Sequence, residues 1–173
     1  MKSVSMTLAA ALALGGAIAA TAQTTISPAA HAHGAAPTAA KVQLDIPVAA
    51  QAAVSVVDQF GSALTRGDLK AVGTLLDADV LILETGGAER SRDEYLGHHA
   101  ISDAAFLKGT HNQLKRRRAR LHGDLAWVGS ESELHTSKDG KPLTLLSTET
   151  IVLKRNGADW RIVHIHWSSR PKR

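Results

Sequence analysis

The chain has 173 residues, no cysteine and a formal net charge of +4. That length holds one folded domain. Without cysteine there are no disulfides and no thiolate metal sites, so any metal would have to be held by His, Asp or Glu.

The first segment, MKSVSMTLAAALALGGAIAATA, has Lys2, then an uncharged Ala/Leu/Ile run, then Ala20-Thr21-Ala22. A basic start, a short apolar centre and small residues before a cut are the parts of a secretory signal, assigned to residues 1–22. The rival reading is a membrane anchor, but Leu8 to Ala20 is short for a hydrocarbon core of roughly 30 Å. Cleavage after Ala22 would remove Lys2, leave a charge of +3 and put the mature chain in the periplasm or outside the cell, with no stable membrane anchor. The small basic excess and the export signal both argue against a nucleic-acid partner, despite the run KRRRAR from Lys115 to Arg120. That run reads as a solvated strand edge, where charge discourages edge-to-edge pairing.

Residues 23–47 are rich in Ala, Thr and Pro, carry only Lys41 and Asp45 as charges, and read as a linker. They include His31 and His33 in HAHG, two weak metal ligands with no fixed third partner. The folded domain is expected over 48–173. Val48, Ala52, Val56, Phe60, Ala63 and Leu64 recur at helical spacing. Gly67 suits the end of that helix, and Asp68 caps a second carrying Leu69, Val72, Leu75 and Leu76. Val80 to Leu83 is a short apolar strand ending at Glu84 and the turn Gly86-Gly87. Ser91 with Glu94 forms a capping-box spacing for a third helix running to Gly109.

From Thr110 the pattern becomes strands, with turns at His122-Gly123-Asp124, Ser137 to Pro142 and Asn156-Gly157. Helices first and a four-stranded meander later is the α+β class, with helices covering one face of a curved, mainly antiparallel sheet.

The joints ALTRGDLKAV, LHGDLAWV, STETIVLKRNGADW and WRIVHIHWSS, in that order, resemble the nuclear transport factor 2-like (NTF2-like) superfamily. The SnoaL-like/DUF4440 group and the association (hub) domain of calcium/calmodulin-dependent protein kinase II are the most similar flavours. The likeness covers about Val54 to Ser169. It implies a cone-shaped fold with three N-terminal helices, a pocket at the open end and a homodimer through the outer sheet face. It does not imply one activity, because the superfamily includes isomerases, dehydratases, hydrolases and plain binding modules. The hub domain has an arginine after its Glu-Thr, inside an anion pocket; here that place is Ile151, and Arg116, Arg118 or Arg161 would substitute only by facing inward.

Candidate site residues follow from the elements. Trp160, Ile162, His164, His166 and Ser168 alternate on the last strand and are expected on one face. His164 and His166 would lie about 7 Å apart, a spacing usable by two ligands or by a base and its orienter, with Glu149 on the neighbouring strand. Glu84 at a strand end is a candidate general base. Tyr95 is a candidate hydrogen-bond donor to a developing oxyanion. Tyr95 and His98 share a helix face, with His98 and Trp160 as ligand contacts; adjacent His98 and His99 diverge, so one points inward. Three imidazoles converging from His98, His164 and His166, with Glu84 or Glu149, would suit a metal. The leading expectation is a small, partly apolar ligand bound in the cone without cofactor or resident metal. The alternatives are a cofactor-free lyase, isomerase or hydrolase using Glu84 or a histidine as base, or the histidine metal site.

Overall fold

The computed structural model describes residues 41–173; the expected signal segment, the HAHG motif and the linker up to residue 40 lie outside the described residues. The boundary drawn at Val48 shifts, because Gln43–Asp45, read as linker, is a strand (β1). It pairs in parallel with Arg116 to Arg118 of a later strand. The composition hid it, because three residues are too few to show a period.

A single 3-10 turn, Val48–Ala50, leads into helix α1, Gln51–Arg66. Its apolar stripe buries Val54, Val57, Phe60 and Leu64. Gly67 ends it at φ 70°, a left-handed conformation that glycine adopts without strain. Asp68 then caps α2, Leu69–Leu75, its carboxylate accepting from the Ala71 amide at 3.0 Å. Strand β2 starts directly at Leu76 and runs to Glu84, earlier than the apolar run at Val80 suggests. A tight turn gives β3, Gly87–Glu89.

The expected third helix is two. Ser91 caps α3, Arg92–Gly97: its hydroxyl accepts from the Glu94 amide, and the Glu94 carboxylate accepts from the Arg90 amide at 2.7 Å. At His98 the backbone leaves the helical region (φ −132°, ψ −90°), and α4, His99–Lys108, starts in a new direction. Four long strands follow: β4, His111–His122; β5, Leu125–Lys138; β6, Lys141–Asn156; β7, Asp159–Pro171.

The sheet order is β1-β4-β5-β6-β7-β2-β3. Strands β4 to β7 form the expected antiparallel meander. β2 joins β7 in parallel, and β3 folds back on β2. The result is the α+β, mainly antiparallel, curved sheet of the NTF2-like fold, with the helices on one face. The arginine run is not an edge, since β1 lies outside it. Gln43 accepts from Arg116, and the Asp45 carboxylate accepts from Arg118 and Arg120.

One irregularity controls the site. Val152 pairs with His164, but Leu153 pairs with Ile162, so Val163 is an extra residue on β7. Such a bulge shifts the alternation by one and turns every later side chain to the other face. Trp160 and Ile162 are buried against the helices, and beyond the bulge Ile165 and Trp167 take over that inner face.

Candidate functional site

The bulge corrects the expected histidine pair. His164 and His166 stand on the outer face, opposite the helices. His164 Nδ1–H donates to the Leu81 carbonyl at 2.8 Å, tying β7 to β2, and His166 is exposed. Trp160 is 7 % exposed and packs in the core near the β6–β7 turn, with the Arg155 guanidinium 5.7 Å from its ring. It sits roughly 20 Å along the strand from Trp167, so it is no part of the site below. His98 is exposed at the break between α3 and α4, and its neighbour His99 turns inward instead. The convergence of His98, His164 and His166 therefore does not occur.

What does converge lies at the far end of β2. Val80, Ile82 and Glu84 alternate onto the inner face, the first two fully buried. Leu83 pairs with His166, so Glu84 and Trp167 come next on adjacent strands. Over them lie Phe60 of α1, 6.2 Å from the Trp167 ring, and Tyr95 of α3, 6.3 Å from it. Glu149 accepts the Trp167 indole N–H at 2.9 Å and so fixes that ring. Glu149 thus holds the aromatic wall from behind.

Three further groups complete the cluster; of these the sequence named only His99, as the alternative to His98. Glu89 on β3 is 3 % exposed and meets His99 Nδ1. Asp103 lies one turn after His99 on α4 and accepts from the Tyr95 hydroxyl at 3.0 Å. Glu84, Glu89 and His99 each bring one oxygen or nitrogen to within 4.8 Å of the others. The signal that marks them is the i, i+4 spacing of His99 and Asp103, together with a glutamate inside a three-residue strand that must lie against its hairpin partner.

The electrostatics follow from burial. Desolvation, then the nearby Asp103 charge, push the Glu84 carboxyl up to about 7. Desolvation raises Asp103 as well, against the lowering influence of its Tyr95 hydrogen bond and of His99. Burial first, then Asp103, push the Tyr95 hydroxyl upward, so it remains a donor. That donor is already spent on Asp103, and Tyr95 is fully buried; this geometry does not present it to a substrate. Glu84 Oε1 and Glu89 Oε2 are buried without a hydrogen-bond partner. His99, whose side chain is 48 % exposed, is the opening of the cluster to solvent.

Among the arginines, the one that faces inward is Arg117, paired with Asp58 of α1 and donating to Ser130 at 3.1 Å. Arg116 and Arg118 face β1, and Arg161 donates to the Thr74 carbonyl. Ile151 is fully buried. A groove of about 570 Å³ crosses the far end of β4 to β7, lined by Lys115, Glu131, Glu133, Thr148, Ser168 and Arg170 among others; it contains none of the clustered groups.

Residues 54–171 match the family model described as a SnoaL-like domain. The chain belongs to the SnoaL-like family. This SnoaL-like chain is similar to a protein from Shewanella frigidimarina provisionally assigned as a ketosteroid isomerase. The two are 39 % identical over 68 % of this chain and 94 % of that one, with a TM-score of 0.65. It shares its fold with the calcium/calmodulin-dependent protein kinase II hub of S. rosetta (23 % identity, 69 % and 95 % covered, TM-score 0.58). The same holds for an NTF2-like protein from Novosphingobium aromaticivorans (18 %, 68 % and 79 %, TM-score 0.58). No curated protein matches the chain.

Proposed function

We propose that this SnoaL-like chain binds a small, partly apolar molecule at the Glu84 end of its sheet. The observation that carries the reading is Glu84 Oε1, a buried oxygen with no partner, set beside the half-buried Trp167 ring, which Phe60 and Tyr95 back from the core. An apolar wall with one or two unsatisfied polar groups is the usual make-up of a ligand site. Phe106, 42 % exposed, lies on the same face of α4 as His99 and Asp103 and offers a further apolar contact. The test is a thermal-shift screen with neutral and cationic aromatic fragments. Trp167→Phe and Phe106→Ala should each reduce the shifts of hits by at least half, and Trp160→Phe should not. Equal shifts in all variants would remove the site from this place.

A second reading makes the same site catalytic: Glu84 takes a proton from the bound molecule, as in an isomerase or lyase without a cofactor. The Shewanella relative's provisional assignment favours it. Histidine as the base has no such support, because His164 and His166 face outward. Glu84→Gln should then preserve fragment binding and abolish turnover of any substrate found.

Export to the periplasm or medium rests on the first 22 residues, and self-association rests on the outer sheet face, where Trp127 pairs with Val152 on the side away from the helices. N-terminal sequencing of the fractionated protein, with Gln23 as the expected first residue, checks the former. Light scattering checks the latter, with a dimer expected.

A further inference from the structure

Glu89 presents an unusual problem for a structural carboxylate. It is 3 % exposed; one oxygen meets His99, and the other has no partner. Glu84 repeats the problem with its own buried, partnerless oxygen. Buried acceptors without donors are expensive and rare in folded proteins. Two of them beside a third carboxylate, Asp103, concentrate negative charge around one imidazole. No lysine or arginine pairs with Glu84, Glu89 or Asp103 among the described residues. The group that would satisfy both orphan oxygens together is a cation.

We propose that Glu84, Glu89 and His99 bind one divalent transition-metal ion, with one carboxylate oxygen from each glutamate and one ring nitrogen from the histidine. Three elements fix the set: the end of β2, the short β3 that folds back on it, and the first residue of α4. The donor set selects the ion class. Calcium takes six to eight oxygens and magnesium keeps a near-octahedral oxygen shell. Two carboxylates with one imidazole suit Zn²⁺, Mn²⁺ or Fe²⁺. Three protein ligands leave positions open for water or a bound molecule, and half-exposed His99 provides the entry. Binding through His99 Nδ1 uses the neutral tautomer that carries its proton on Nε2, so the ion takes the place of the Nδ1 contact to Glu89. This site differs from the three-histidine arrangement expected from sequence, of which it uses no histidine. It rests on the same site as the proposed ligand binding and names the polar anchor there.

The test uses the full chain, purified without a polyhistidine tag and stripped with a chelator. His31→Ala/His33→Ala is the background, so that the N-terminal histidines do not contribute. Zn²⁺ and Mn²⁺ are titrated separately by calorimetry, and bound metal is counted by mass spectrometry. The expected result is one equivalent of at least one ion. Affinity should fall by more than about tenfold in both Glu89→Gln and His99→Ala, since losing a ligand should cost at least as much as losing an outer partner. His164→Ala/His166→Ala should bind as the parent does. Binding of neither ion, or equal binding in the Glu89 and His99 variants, overturns the inference. Should Glu89→Gln fail to fold, His99→Ala at its half-exposed position decides alone. Fragment shifts measured on the metal-free protein keep the two readings apart. A protein that binds fragments but takes up neither ion sinks only the metal site, and one that takes up metal but binds no fragment sinks only the ligand reading.

Discussion

Trp167 shows how one side chain gains a role from its neighbours. Its indole N–H is held by Glu149, its ring stacks on Phe60, and Glu84 lies beside it on the next strand. The two histidines just before it in sequence share none of this. His164 donates to a backbone carbonyl, and His166 points to solvent. Their spacing was read correctly as alternation, but alternation assigns a face only while the strand is regular. His164→Ala/His166→Ala should leave fragment thermal shifts unchanged, whereas His99→Ala should alter them. A loss of shift in the His164/His166 variant would put the site on the outer face. Glu84 was legible because it ends an apolar run. Glu89 and Asp103 carried only weak local signals, a place in a hairpin and an i, i+4 spacing from His99, and neither tells a carboxylate that will be buried from one that will be solvated.

At the scale of elements, the caps were plain in the sequence and do position the site. Ser91 and Glu94 start α3, and α3 carries Tyr95. Ser91→Ala removes the acceptor for the Glu94 amide and should cost about 1 kcal/mol in a urea unfolding curve. Loosening α3 should also perturb Tyr95 and Trp167, visible as a change in tryptophan emission before unfolding; an unchanged midpoint would mean that packing alone holds α3. The break at His98 had one weak local signal, Gly97, which ends α3, but a lone glycine is tolerated inside a helix and residues 91–109 contain no proline. The break depends on how α3 packs on β2 and α4 on α1, and it decides which of two adjacent histidines turns inward.

For the whole molecule, the sheet is finished by a three-residue strand held by charge. Hydrogen bonds from Arg120, then Arg118, hold the Asp45 carboxyl at about 2, against an ordinary 3.8. A carboxyl lowered by folding stabilises the fold fully above its ordinary value, and that contribution disappears as pH falls through the folded one. The protection of β1 amides from hydrogen exchange, relative to free-peptide rates at the same pH, should therefore fall between about pH 4 and pH 2, while β5 and β6 stay protected. Asp45→Asn should exchange fast throughout. Equal protection of β1 at pH 2 and pH 5 would mean that its backbone ladder suffices.

The sequence by itself determined the fold class, because period, caps and turn residues are local and repeat along the chain. The joints that carry the family resemblance, from Ala63 to Ser169, all lie within the SnoaL-like match over residues 54–171. Which side chains meet at the Glu84 end is set by tertiary contacts. One extra residue at Val163 transferred the inner face from His164 and His166 to Ile165 and Trp167, and one break at His98 brought in His99. Both depend on pairing between segments distant in sequence, where a shift of one residue reverses a face and no local pattern records it.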